Sequence, residues 1–196
     1  GELESLTLTM AGRLSSSGLE TGDRVLVVVN KSPEMVALYL ACLYSGLVFV
    51  PLNPGFTRRE LAYFVDNAAP KLVICAPELF EAFESILAEI GTVRVFTLDS
   101  EGRGTFVAQA PDESSSMVAV TSEDVAVLVY TSGTTGRPKG AMVTHGNLHS
   151  NARALVDAWG FNDRDVLLHV LPLHHVHGLF VACHCVLLSG ASMVMM

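Results

Sequence analysis

The sequence predicts an α/β chain of mostly parallel sheets flanked by helices. Three observations carry that expectation. Runs of apolar, often β-branched residues alternate along the chain with helical patterns, the signature of βαβ units. Those runs are apolar throughout instead of alternating with polar residues, as strands covered on both faces by helices are. Hydrophobic residues make up 50% of the 196 positions and charged ones 16%, which excludes a disordered chain. A chain of this length buries roughly 70% of its unfolded surface, so it needs no disulfide staples.

Taken in order, Leu3, Leu6, Met10 and Leu14 have helical spacing. RVLVVV then reads as a strand and Ser32-Pro33-Glu34 as the start of a helix to Tyr44. LVFVPL follows as a buried strand, and Thr57-Arg58-Arg59-Glu60 supplies a capping box for a helix to Ala69. KLVICA, a helix from Pro77 to Ile90 and VRVFTL complete a first α/β subdomain over residues 1–110. From Asp99 to Asp124 the composition turns to Asp, Ser, Gly, Pro and Glu, and a loop or linker is expected at 111–124. A second α/β subdomain starts within 125–196. Its elements are the strand VAVLVY, a Gly/Thr-rich loop, a short strand at Ala141 to Val143, a helix near Asn147 to Trp159 and the strand DVLLHVL. A helix from Gly178 to Leu188 and a strand from Ser192 to Met196 follow.

Several function classes fall away on composition. Twenty acidic against twelve basic residues give a net charge of -8, without the basic footprint of a nucleic-acid binder. No residue from Met35 to Thr57 is charged, yet Ser45-Gly46 and Pro51 interrupt the stretch, so a core helix followed by a strand is expected in place of a membrane span. The four cysteines, Cys42, Cys75, Cys183 and Cys185, are few, and Cys42 and Cys75 sit in apolar runs. Reduced, buried thiols follow, and with them a reducing compartment, read as the cytoplasm with an organelle matrix left open. The chain opens at Gly1 already in helical pattern and stops inside ASMVMM, so a fragment of a longer protein is expected.

The strand VAVLVY runs into Thr131-Ser132-Gly133-Thr134-Thr135-Gly136-Arg137-Pro138-Lys139-Gly140. Glycines let backbone N–H groups approach an anion, hydroxyls add neutral donors, and Lys139 adds a point charge for phosphate oxygens. A Walker A loop would place glycine before its lysine and Ser or Thr after it, whereas Lys139 lies between Pro138 and Gly140. The competing interpretation from composition is a flexible turn between two strands.

The complete string YTSGTTGRPKG resembles the signature loop of the adenylate-forming (AMP-binding) enzymes, the superfamily of the acyl-CoA synthetases. Tyr44 to Pro54, YSGLVFVPLNP, resembles an upstream core motif of that family, and Leu171 to Gly178, LPLHHVHG, the motif that follows the loop. HHVHGL and LVDAWGFNDRDVLLHVLPL resemble the malonyl-CoA synthetase branch most closely. The resemblance implies the N-terminal part of an adenylate-forming fold, with the C-terminal domain outside this chain. It also implies a ligase that uses ATP and Mg2+ to activate a small-molecule carboxylate, malonate or methylmalonate, and passes the acyl group to CoA. Thr131, Ser132, Gly133, Thr134, Thr135, Gly136, Arg137, Pro138 and Lys139 would then bind the phosphates, with Thr131 also near the metal. The alternatives are a medium- or long-chain acyl-CoA synthetase and a noncatalytic nucleotide-binding protein.

Histidines crowd one region: His174, His175 and His177, then Cys183-His184-Cys185. Cys183 and Cys185 are two apart on a predicted helix, and no CxxC or HExxH pattern accompanies them, so packing is favoured over zinc. His184 reads as a packing residue of an apolar helix, His169 as a strand residue with a local hydrogen bond, and His145 and His149 as peripheral. By the resemblance His175 borders the acyl carboxylate and, with Lys139, is catalytic, the alternative being a structural turn histidine. His177 is the candidate partner for the second carboxylate of a malonate.

Overall fold

The computed structural model of the protein describes residues 1–88, 90–131 and 137–196. After α1 (Glu2–Ser15), strands and helices alternate: β1 (Arg24–Val28), α2 (Pro33–Tyr44), β2 (Val48–Pro51), α3 (Arg58–Ala68), β3 (Leu72–Cys75), α4 (Phe80–Leu87) and β4 (Arg94–Thr97). The chain continues through β5 (Val125–Thr131), β6 (Lys139–Thr144), α5 (His145–Trp159), β7 (Val166–His169), α6 (Cys183–Ser189) and β8 (Ser192–Met195). One six-stranded sheet has the order β4-β3-β1-β2-β5-β6, and β7 and β8 form a separate two-stranded sheet. All pairs are parallel except β5 with β6, an antiparallel hairpin. β5 and β6 thus extend the sheet begun by residues 1–110, on the far side of the 111–124 linker.

The continuous apolar strands are explained by burial on two faces. Val25 and Val27 of β1, with Leu72 and Ile74 of β3, pack into the core shared with α1 and α2. Their neighbours Leu26, Val28, Val73 and Cys75 point the other way, into the core under α3 and α4. The uncharged stretch from Met35 is the buried helix α2 followed by the central strand β2. No helix among the described residues is long and apolar enough to cross a membrane. All four cysteines are buried free thiols.

Local chemistry sets the element ends. The Ser32 hydroxyl accepts from the Met35 amide at 3.2 Å, with Pro33 in the first turn. Thr57 and Glu60 form the reciprocal capping box, the Glu60 carboxylate taking the Thr57 amide at 2.8 Å. Three expected elements differ. The Pro77 to Ile90 helix divides into a 3-10 turn (Pro77–Leu79) and the short α4, because the turn's Leu79–Ala76 hydrogen bond spans three residues. The Gly178 to Leu188 helix is a π-helical turn (His177–Ala182) followed by α6. The strand at Ala141 to Val143 is longer, since its pairing with β5 continues to Lys139. The linker carries no regular element but docks on α1: the Asp112 amide donates to the Gly12 carbonyl at 3.0 Å, and the Ser15 hydroxyl donates to the Asp112 carboxylate at 2.8 Å.

Candidate functional site

β2 and β5 run parallel at the centre of the sheet, so both deliver their carboxyl ends to the same edge, where open α/β sheets hold ligands. Thr131 is the last residue of β5 and is exposed; it pairs across the hairpin with Lys139, the first residue of β6, also exposed. Directly opposed residues of an antiparallel pair project to one face, so the Thr131 hydroxyl and the Lys139 ammonium flank the mouth of the loop together. Ser132, Gly133, Thr134, Thr135 and Gly136 lie outside the described residues; Arg137 is exposed and Pro138 half-buried.

Helix α3 holds both arms of this hairpin, which sequence reasoning missed. Tyr63 Oη donates to the Pro138 carbonyl at 2.7 Å, and Tyr130 Oη donates to Asn67 Oδ1 at 2.7 Å. Phe64 fills the space between, its ring centroid 4.6 Å from that of Tyr130 in an edge-to-face arrangement. Burial pushes the Tyr130 hydroxyl up to about 12, with the neighbouring Tyr63 adding to the shift. Tyr63 and Asn67 are four apart and share one helix face, the single trace of this clamp in the sequence.

The histidine motif is a tight turn between β7 and the π-helical turn. The His175 amide donates to the Pro172 carbonyl at 3.4 Å, and the Leu179 amide to the His175 carbonyl at 3.0 Å. A Cβ on Gly178 would sit 2.1 Å from the Pro172 carbonyl oxygen, so only glycine closes the turn. The turn faces β5 across a cleft of about 670 Å³, bounded by Val129, Tyr130 and Thr131 on one side and by Leu171, Pro172 and His175 to Gly178 on the other. Thr131, His175 and His177 are therefore brought to one cleft. His174 is not: it borders a neighbouring cleft of about 390 Å³ with Asn30, Lys31 and Asn53. Burial lowers the His174 imidazole's affinity for a proton, and the adjacent His175 lowers it further.

A third cleft, about 530 Å³, lies at the opposite edge, where Arg24, Val48 and Val125 begin their strands. Its charged groups are committed locally: the Arg24 guanidinium donates to the Ala68 and Ala69 carbonyls, and Asp124 accepts from the Thr121 amide and hydroxyl. The carboxyl-edge cleft, with exposed imidazoles and the exposed Thr131, is the better candidate for chemistry.

His184 has the packing role its apolar surroundings suggest. Its Nε2 lies 2.8 Å from the Tyr39 hydroxyl, and the two rings stack with centroids 5.7 Å apart. Burial drags its pKa from 6.5 down to about 4. A buried imidazole that resists protonation stabilises the fold fully above the unfolded-state value, and that contribution is lost as pH falls from 6.5 toward 4. The loss is expected to reach about 3 kcal/mol. Urea titrations across that window should show it in the wild-type protein and a shallower pH slope in His184→Phe; equal slopes would assign the acid sensitivity elsewhere.

Among the described residues no three His, Cys, Asp or Glu side chains gather to hold a metal. A magnesium ion travelling with a triphosphate keeps several waters and needs few protein oxygens, and the exposed Thr131 hydroxyl at the cleft edge suits that demand.

A mostly parallel α/β sheet with its candidate site at the carboxyl ends, beside a Thr/Gly-rich hairpin, defines the class. The chain belongs to the AMP-binding enzyme family, whose model matches residues 1–196. It is 35% identical over 174 residues to the mitochondrial malonate–CoA ligase ACSF3 of Bos taurus, covering 89% of this chain and 29% of that protein. It is 36% identical over 164 residues to a malonate–CoA ligase of Arabidopsis thaliana, covering 82% and 27%. Its fold matches ATP-bound MatB from Rhodopseudomonas palustris with a TM-score of 0.88 at 43% identity, covering 97% of this chain and 39% of that one. The chain thus spans less than half the length of each of these relatives.

Proposed function

We propose that the whole protein containing this chain is an AMP-forming acid–CoA ligase acting on malonate or methylmalonate. The observation that carries the proposal is the cleft that joins Thr131, at the root of the Thr/Gly-rich loop, to His175 and His177. The malonate–CoA ligases among its relatives and the ATP-bound state of MatB support it. In the first step a carboxylate oxygen attacks the α-phosphorus of ATP, and pyrophosphate leaves. In the second the thiol sulfur of CoA attacks the acyl carbon, and AMP leaves.

Each residue has one task. Thr131 to Pro138 bind the phosphates, the first five through amides and hydroxyls, and Tyr63 clamps the chain at the Pro138 carbonyl. Lys139 meets the charge that develops on the leaving pyrophosphate. His175 borders the reacting carboxylate, and His177 offers a hydrogen bond to the distal one. Magnesium, when bound, draws charge from the phosphates so that two anions can approach.

The test is ATP–pyrophosphate exchange in the whole protein with malonate, methylmalonate, acetate and a fatty acid. Exchange favouring the dicarboxylates is expected. Preference for the fatty acid would shift the substrate to the medium- or long-chain class, and no exchange with any acid would favour a noncatalytic nucleotide-binding protein. The 196-residue chain alone is expected to form no detectable thioester. Its cleft is open, and β7 and β8 expose Leu168 and Val194 side by side on a two-stranded sheet that is marginal by itself. Robust ATP-dependent thioester formation by the pure chain would overturn that expectation.

A further inference from the structure

We infer that His169 is a positioning residue that sets the turn carrying His175 and His177, and that Lys31 holds it in place; the inference rests on the function proposed above. His169 ends β7 and is 1% exposed. Its Nε2 lies 2.9 Å from the Gly178 carbonyl oxygen. A carbonyl only accepts, so the ring proton is on Nε2, and the buried Nδ1 has no hydrogen-bond partner among the described residues. A buried polar atom left unpaired costs stability, and a leucine of similar size would avoid that cost. The donor on the other side of the ring is what a leucine could not provide.

That donor acts on one carbonyl at the root of the histidine turn. The Gly178 oxygen also accepts the Cys183 amide, the bond five residues on that makes the turn π-helical. Its two lone pairs are thus taken by two donors from different directions, which fixes the peptide between Gly178 and Leu179. The Leu179 amide, on that same peptide, donates to the His175 carbonyl at 3.0 Å. His169 therefore reaches the backbone of His175 through one peptide plane, and His177 is the residue immediately before Gly178. From the other side Lys31 Nζ donates to the His169 carbonyl at 2.6 Å, tying the end of β7 to the loop between β1 and α2. Burial makes the Lys31 ammonium easier to deprotonate than usual, so it gains from this acceptor.

The test compares His169→Leu, which removes the donor, with His169→Gln, whose amide restores one, and with Lys31→Met, which leaves the core intact. In the whole protein, pyrophosphate exchange in His169→Leu is expected to lose about 10- to 100-fold in kcat/KM for malonate, the size of effect a misplaced reacting group produces. The KM for ATP is expected to stay within about twofold, and His169→Gln to recover most of the loss. Lys31→Met should fall between wild type and His169→Leu. Parallel rises in the KM values for ATP and malonate, equal defects in the Leu and Gln variants, or unchanged kinetics in both His169→Leu and Lys31→Met would overturn the inference. A second readout needs no turnover: the ring-proton NMR signals of His175 and His177 are expected to move in His169→Leu and Lys31→Met and to return in His169→Gln. Unmoved signals would overturn the positioning role. Absent exchange in the wild type combined with moved signals would overturn the catalytic function alone.

Discussion

Lys139→Ala in the whole protein is expected to slow pyrophosphate exchange by about 10- to 1000-fold, the range for losing one or two electrostatic donors at a developing charge. The fold should be untouched, and the structure says why. Lys139 is exposed, begins β6, and forms no ion pair among the described residues; its backbone, not its side chain, holds the register opposite Thr131. The strand's anchor is elsewhere, in the Tyr63 hydrogen bond to Pro138 and the packing of Tyr130 against Phe64. Thermal unfolding should therefore coincide with wild type while the rate falls. Lys139→Arg keeps the charge but spreads it over a planar fork, so it should recover part of the loss and no more. Unchanged exchange in Lys139→Ala would make Lys139 an ordinary solvated lysine and move the phosphate charge to Arg137 or beyond this chain.

How far such roles can be seen in the sequence depends on whether the physics is local. The strands β1, β2 and β3 were legible because a strand buried on both faces must be apolar along its buried length, and RVLVVV, LVFVPL and KLVICA are once past the leading Arg24 and Lys71. The start of α3 was legible because a capping box is a four-residue object. Buried thiols at Cys42 and Cys75 followed from their apolar neighbours. What escaped is set by partners distant in sequence. Lys139 belongs to a strand because β5 pairs with it, and nothing in RPKG itself favours one. The π-helical turn at His177–Ala182 is closed by the Cys183 amide on the Gly178 carbonyl, which also takes a donor from β7, and no helical periodicity within GLFVA reports either bond. In the same way HHVH reads as one cluster, yet the turn sends His175 and His177 to the β5 cleft and His174 to the one beside Lys31. Tyr63 sits in the helix that the capping box starts, but its hydroxyl's partner lies 75 residues further on.

His177→Ala is expected to lower kcat/KM for malonate by roughly 10- to 150-fold, the equivalent of about 1.5 to 3 kcal/mol for a hydrogen bond to a charged group, while acetate changes far less. The difference between the two acids is the point. In the proposed reaction adenylation consumes one carboxylate of a malonate and would leave the other ionised in the cleft, where the walls contributed by Val129, Leu171 and Val176 offer it nothing. Acetate leaves a methyl group in the same place, which those side chains suit. An imidazole at the cleft edge therefore discriminates by what it does for the second charge, and its removal should narrow the preference without abolishing adenylation. His175→Ala should impair both acids, because the carboxylate that we propose it borders is common to them. The rival account is that His177 merely caps the turn whose closure needs Gly178 against the Pro172 carbonyl. Against that stands its exposure and the fact that the turn's hydrogen bonds run through the backbones of His175 and Leu179 and the ring of His169, with no bond to the His177 side chain among the described residues. If the turn were its only role, malonate and acetate would lose activity together and the protein would melt earlier. Equal losses for the two acids, measured beside thermal unfolding, would take His177 out of substrate selection and leave the adenylation chemistry to Lys139 and His175.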